Sequence, residues 1–240
     1  MIDFHNAIQA YLQRTGFSTF EPKAFLFDMD GVLYDSMPFH AIAWKTALRN
    51  VGVDFDEYQV YLNEGRTGKS TVNEAFFKQL GREGTDEEIQ RIYADKSEIF
   101  QRISKTIPMP FADKALYYLK HKNKKIVLVT GSGQKSLLIK LNDSYPGYFS
   151  MENMVTSFDV KYGKPNPEPY LMGLQKAGVR PNEAVVIENA PLGIRAGISA
   201  NIFTIALNTG ILKDEDLKNA GADVVLPSME SFYESLHNLC

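Results

Sequence analysis

The sequence predicts an α/β fold: a parallel-sheet core with helices on both faces and an all-helical insertion after the first strand. Three observations predict it. Short apolar runs of strand length alternate with helix-period segments from residue 112 to the end. The first run, Ala24-Phe25-Leu26-Phe27, is four apolar residues closed by a polar one, as expected of a strand buried on both faces. Between residues 37 and 106 the pattern is helical only.

Taken in order, residues 3–15 read as a short amphipathic helix, with Phe4, Ala7, Ile8 and Tyr11 on one side and Gly16 as its stop. It is expected to pack on the outside and carries no chemistry. The first strand follows, ending in Asp28-Met29-Asp30-Gly31. His40, Ala43, Trp44, Ala47, Leu48 and Val51 then recur at helical spacing up to Gly52. A further helix, from Thr71 or earlier, points Val72, Ala75, Phe76 and Leu80 inward, with Thr71-x-x-Glu74 as a capping-box pattern. Thr85-x-x-Glu88 opens the next in the same way, and Ile89, Ile92, Tyr93, Ile99, Phe100 and Ile103 form its inner side. Pro108 and Pro110 close the helical block. Beyond it, helices are expected around 112–119, from about 134, at 167–177, at 191–199 and at the C-terminus. Strands are expected at 125–130, 153–156, 184–187, 202–207 and 223–226.

At 240 residues the chain fits one large domain, or a core with an insertion. A net charge of −3 gives no electrostatic reason to expect nucleic acid as a partner. No apolar run approaches bilayer length, and the first twenty residues lack the features of a secretory signal, so no membrane association is expected. The single cysteine, Cys240, excludes an intramolecular disulfide and suits a reducing, cytoplasmic setting. The basic run Lys120-His121-Lys122-Asn123-Lys124-Lys125 falls where a helix ends before a strand, so dipole complementarity and solvation explain it, with a polyanion site as the alternative.

Four stretches carry chemistry. In the first, two aspartates two residues apart follow a strand, where α/β sheets place ligands. Like charges so close call for a cation or a proton between them. A calcium loop would need a glutamate downstream, where His40 and Ala41 stand instead. The second stretch is Thr130-Gly131-Ser132-Gly133, after an apolar strand and before a helix, a setting suited to a phosphate dianion. It also nearly fits a dinucleotide fingerprint, but Ser136 replaces the third glycine. The third, Lys161-Tyr162-Gly163-Lys164-Pro165-Asn166-Pro167-Glu168-Pro169-Tyr170, sets a lysine between glycine and proline. The fourth, Ala184 to Gly197, delivers Glu188 and Asn189 to a strand end. Gly65-Arg66-Thr67-Gly68-Lys69-Ser70 is not a phosphate loop, because Asn63 occupies its first glycine position and no strand precedes it.

These four stretches, in this order, resemble the motifs of the haloacid dehalogenase-like phosphotransferases, and the resemblance covers the chain from about residue 22. It implies a Rossmann-like core formed by residues 1–36 and 107–240, with a helical cap domain at 37–106 that closes over the site. It implies Asp28 as the nucleophile that becomes an aspartyl phosphate, and Asp30 as the acid/base. Thr130, with Gly131 and Ser132, would hold the transferring phosphoryl group, and Lys164 would neutralise its charge. Lys161 lacks the following proline and ranks below Lys164. The resemblance implies Mg2+ as cofactor, held by Asp28, Asp30, Glu188 and Asn189. The family usually has two carboxylates where this chain has Glu188-Asn189, which leaves open which of the two touches the ion.

Within the family, Asp35 to Trp44 is similar to the β-phosphoglucomutase-like subgroup. That likeness implies substrate-facing roles for His40, Trp44 and Lys96, although core packing explains Trp44 equally well. The mutase arginine for a second phosphate aligns with Gly68, with Arg66 or Lys69 as substitutes. The expected activity is phosphate release from a small phosphorylated metabolite, in the sugar-phosphate class. The alternatives are a β-phosphoglucomutase, a non-catalytic phosphometabolite-binding protein and, last, an NAD-dependent dehydrogenase. A monomer or weak homodimer is expected.

Overall fold

The structure is a computed structural model, which describes residues 4–132 and 137–239. Gly133 and Ser136 of the dinucleotide-like pattern, the expected start of the helix near 134, and Cys240 lie outside the described residues. Among the described residues, six parallel strands form one sheet in the order β3-β2-β1-β4-β5-β6. They are β1 (Ala24–Phe27), β2 (Lys125–Val129), β3 (Met154–Val155), β4 (Ala184–Glu188), β5 (Phe203–Leu207) and β6 (Val224–Leu226). The order reverses at β1, which pairs with β2 on one side and β4 on the other. A ligand crevice forms beyond the carboxyl ends of strands at such a switch point, and Asp28 follows β1 directly.

The apolar strand pattern reflects burial on both faces. Phe25, Leu26 and Phe27 are fully buried, each stabilising the fold by roughly 1.5–3 kcal/mol. One face packs against α1 (Phe4–Thr15), α6 (Ala112–His121), α7 (Leu137–Ser144) and α11 (Met229–Ser235). The other packs against α8 (Glu168–Ala177) and α9 (Pro191–Ser199). Helix α1 does more than lie outside: Phe4 and Tyr11 enter the core, and Tyr11 packs edge-on to Phe203 and donates to the Asn201 carbonyl at 3.0 Å.

The insertion consists of α2 (Met37–Arg49), α3 (Glu57–Leu62), α4 (Gly68–Leu80) and α5 (Asp86–Ile103). Its apolar cluster does not stop at the insertion. Val60, Tyr61 and Trp44 share it with Ile194 of α9, Ala206 of β5 and Leu217 of α10 (Asp214–Asn219). Helices α3 and α10 have only six residues each, too short for a period to stand out in sequence.

Several expectations are corrected. Helix α4 is capped by Thr67, whose hydroxyl accepts from the Ser70 amide, not by Thr71, which is buried inside the helix. Glu74 leans instead toward Arg66 and Lys78. Leu80 and Tyr93, expected to face inward, are 47% and 45% exposed. The capping box at Thr85 and Glu88 is present.

Candidate active site

The site begins where β1, β2 and β4 end. Asp28 continues the sheet, its amide donating to the Ile187 carbonyl at 2.9 Å, and its side chain is almost fully buried. Lys164, in the loop before α8, reaches it from the side. The Lys164 ammonium lies 2.5 Å from Asp28 Oδ1, 2.6 Å from Glu188 Oε1 and 3.2 Å from the Val129 carbonyl. Its three protons therefore have three acceptors. Lys161 stays at the surface over the Tyr162 ring. The structure thus brings Lys164, and not Lys161, to Asp28.

Glu188 is saturated. Oε1 accepts from Lys164 and from the Tyr170 hydroxyl at 2.6 Å, and Oε2 accepts from the amides of Asn189 and Ala190. It also sits over the first turn of α9, where a Cβ on Gly193 would come within 1.8 Å of Oε1. The positive end of the helix favours a carboxylate there. Two oxygens just beyond the paired strands β1 and β4 are the opposite case. Asp28 Oδ2 and Asn189 Oδ1 are buried and have no hydrogen-bond partner. Buried polar atoms are rarely left so, and an orphan calls for a ligand, ion or water. Both are oxygen donors, the type that a hard divalent cation selects. Asn189 is held close by Gly31, which has φ +82° and whose Cβ would lie 2.0 Å from Asn189 Nδ2. Any side chain there would drive the two loops apart.

Asp30 faces the other way. Its Oδ1 accepts from Ser36 Oγ at 2.6 Å and lies 3.3 Å from His40 Nε2. His40 stacks on Phe100, and its Nδ1 lies 3.0 Å from Lys96 Nζ. Lys96 is itself buried over the Trp44 and Phe100 rings. Burial pushes His40 below its usual range, helped by Lys96 and opposed by Asp30. Burial alone would raise Asp30, but His40, Ser36 and Lys96 together hold it below the carboxylate range. Asp28 differs: burial pushes it up to about 8 against the pull of Lys164, with Glu188 and Asp30 adding to the rise. Two carboxyl groups two residues apart are thus shifted in opposite directions, and a cation beside Asp28 would return it toward the ionised form.

A cavity of about 130 Å³ separates this floor from the helical insertion. Asp30, Gly131 and Ser132 form its base, with His40, Trp44 and Lys96 on its wall. The Thr130 hydroxyl, just below, accepts from the Ser132 amide at 3.1 Å. The loop between α3 and α4 covers the site: a Cβ on Gly65 would stand 3.1 Å from the Lys164 side chain. Lys69 is not brought to the site. It is exposed on α4 and paired with Asp86 at 3.1 Å, because the helix starts at Gly68 and turns the next residue outward. Arg66 lines the cavity, yet its guanidinium is bonded to Asn63 and Ser70. Sequence reasoning missed Glu64, which lines the cavity and which burial, Asp30 and Asp28 raise well above the usual carboxylate range. It also assigned no role to Tyr170, which anchors Glu188. Glu64 stands in a loop with no spacing signal, whereas Tyr170 belongs to the lysine-proline motif.

Among the described residues, no cluster of three or more His, Cys, Asp or Glu side chains forms a metal cage. The donor set here is of another kind, one carboxylate and one amide oxygen, with the Asp30 main chain between them in sequence.

The family model described as haloacid dehalogenase-like hydrolase matches residues 22–201. Hexitol phosphatase A of Escherichia coli (strain K12) is 30% identical over 215 residues, which cover 87% of this chain and 92% of the relative. Beta-phosphoglucomutase of Bacillus subtilis (strain 168) is 28% identical, covering 78% of this chain and 84% of that one. A solved structure from Bacteroides vulgatus, provisionally named a beta-phosphoglucomutase, superposes with a TM-score of 0.94 at 49% identity, covering 98% of this chain and 96% of that one. Because that family model spans most of its length, the chain belongs to the haloacid dehalogenase-like hydrolases, an enzyme family whose members here include a phosphatase and a phosphomutase.

Proposed function

We propose that the protein is a Mg2+-dependent phosphohydrolase that works through an aspartyl phosphate on Asp28. Its substrate is a small phosphorylated metabolite of the sugar-phosphate class, as the names of its relatives suggest. Residues 37–106 act as the cap over the core formed by 1–36 and 107–240. The observation that carries the reading is a pair of buried, unpartnered oxygens, Asp28 Oδ2 after β1 and Asn189 Oδ1 after the adjacent β4, while Lys164 holds the other Asp28 oxygen.

In the first half-reaction an Asp28 oxygen attacks phosphorus, the bond from phosphorus to the leaving oxygen breaks, and Asp30 gives that oxygen a proton. The arriving phosphate dianion raises the proton affinity of Asp30, which favours its acid form at that moment. In the second, Asp30 takes a proton from water, the water oxygen attacks phosphorus, and Asp28 is released with inorganic phosphate. The Thr130 hydroxyl and the amides beyond it hold the phosphoryl oxygens, and Lys164 offsets their charge. Mg2+, when bound, neutralises phosphoryl charge and orients the group for in-line displacement. Asp28, Asn189 and the Asp30 main chain would hold it; Glu188 is engaged elsewhere and keeps Lys164 in place.

Hydrolysis is preferred to the mutase reaction because no cation stands at position 68. The Tyr93 ring fills that space, 2.2 Å from where a Cβ would be. The deciding experiment incubates the protein with Mg2+ and β-glucose 1-phosphate, with a trace of the bisphosphate, and then with a panel of phosphorylated metabolites. Free phosphate, lost in Asp28→Asn, supports the proposal. Glucose 6-phosphate would make the protein a mutase, and no turnover at all would leave it a binding protein.

A further inference from the structure

We propose that Lys105 and Lys140 form an anion subsite at the mouth of the Asp30 cavity that reads a second negative group, on the leaving half of the substrate. This rests on the phosphohydrolase reading and narrows its substrate class to compact phosphoryl compounds whose leaving group carries a carboxylate or a phosphate.

Four cationic side chains line the cavity, Arg66, Lys96, Lys105 and Lys140, against the carboxyl groups of Asp30 and Glu64. Two are already engaged. Arg66 bonds to Asn63 and Ser70 and lies 3.6 Å from Glu74, and Lys96 meets His40. The other two are not: among the described residues, neither Lys105 nor Lys140 has an ion pair. Unpaired ammonium groups facing a partly enclosed cavity attract an anion more strongly than they would in open water.

The two lysines come from different parts of the chain. Lys105 is on the segment that leads out of α5, at the end of the helical insertion. Lys140 is on α7 of the core, where its carbonyl accepts from the Tyr34 hydroxyl at 3.0 Å. Tyr34 also lines the cavity and forms a backbone bridge with Asp30, which places Lys140 at the Asp30 end. The phosphoryl group is bound at the Asp28 end. An anion between Lys105 and Lys140 therefore belongs to the part of the substrate that leaves. The cavity of about 130 Å³ keeps that part small. The cap loop supplies no substitute, since Gly68 has no side chain and Lys69 turns away to Asp86.

The test is calorimetric binding of 2-phosphoglycolate and glycerol 1-phosphate to the full-length Asp28→Asn protein with Mg2+. It is repeated with Lys105→Gln and Lys140→Gln added, folding being checked by thermal melting. The two compounds are similar in size and differ in the charge of the leaving half. At low salt the double substitution is expected to weaken 2-phosphoglycolate about tenfold or more, and glycerol 1-phosphate about threefold or less. Arginine at both positions should restore the difference, and added salt should shrink it. Equal weakening of both compounds, or of neither, overturns the proposal. Should the double variant unfold, Lys105→Gln alone, at an exposed position, carries the same comparison. Phosphate release by the chain with Asp28 intact is measured in parallel. Selective binding without release would overturn the hydrolase reading and leave the subsite standing; release without selective binding would do the reverse.

Discussion

The Lys96 ammonium lies 3.0 Å from His40 Nδ1, and because an ammonium only donates, it sets the tautomer of the imidazole. Nδ1 must accept, so Nε2 carries the proton and presents it to Asp30 Oδ1 at 3.3 Å. A lysine on α5 thereby orients a carboxyl group beyond the end of β1 through a histidine on α2.

Lys96→Met should therefore lower kcat by about 10–100-fold with little change in KM, because it acts on proton transfer and not on phosphate binding. His40→Ala should cost a similar factor. The double variant should be no worse than about the larger single effect, since both act through the same carboxyl. Steady-state kinetics on the three proteins check this, and a multiplicative loss would contradict it.

Asn189→Ala should raise the Mg2+ concentration for half-maximal activity about tenfold or more, since it removes one of the two orphaned oxygens. Chelation of the metal should abolish turnover. Glu188→Gln should act differently, disturbing Lys164 and so lowering kcat more than metal affinity. Metal titrations of phosphate release separate the two.

Gly193→Ala places a Cβ within 1.8 Å of Glu188 Oε1, and the helix start or the carboxylate must shift. A loss of roughly 1–3 kcal/mol in stability is expected from the overpacking. Denaturant unfolding measures it. Activity should fall as well, because Glu188 positions Lys164.

Tyr170→Phe leaves the Glu188 carboxylate one donor short in a buried site. The expected loss is about 1–3 kcal/mol, read from the unfolding midpoint at constant slope.

Glu88 carries a pH dependence of known sign. Its hydrogen bonds with Arg82 and the Thr85 amide hold its carboxyl down to about 2, against a usual value of 4.5. A depressed folded value means the contribution is complete above the unfolded pKa and is lost as pH falls from 4.5 through 2. The melting temperature of Glu88→Gln should thus lie below that of the parent at pH 6. The gap should close near pH 2. A gap that is constant over this range would contradict the assignment.

What could be read from the chain alone was local. Four apolar residues ending in Asp28-x-Asp30 say where a buried strand meets a polar site, because alternation and burial act over a few residues. The same holds for Thr130 after β2, Lys164 beside its proline, and Glu188-Asn189 at the end of β4. Three-dimensional packing decided the rest. It set which oxygens are saturated and which are orphaned, it turned Lys69 out to Asp86, and it laid Glu64, Lys105 and Lys140 around the cavity. These depend on how the helical insertion folds back over the sheet, through contacts between residues dozens of positions apart. No spacing along the sequence encodes such contacts, because their energy comes from surfaces that exist only once both parts have folded.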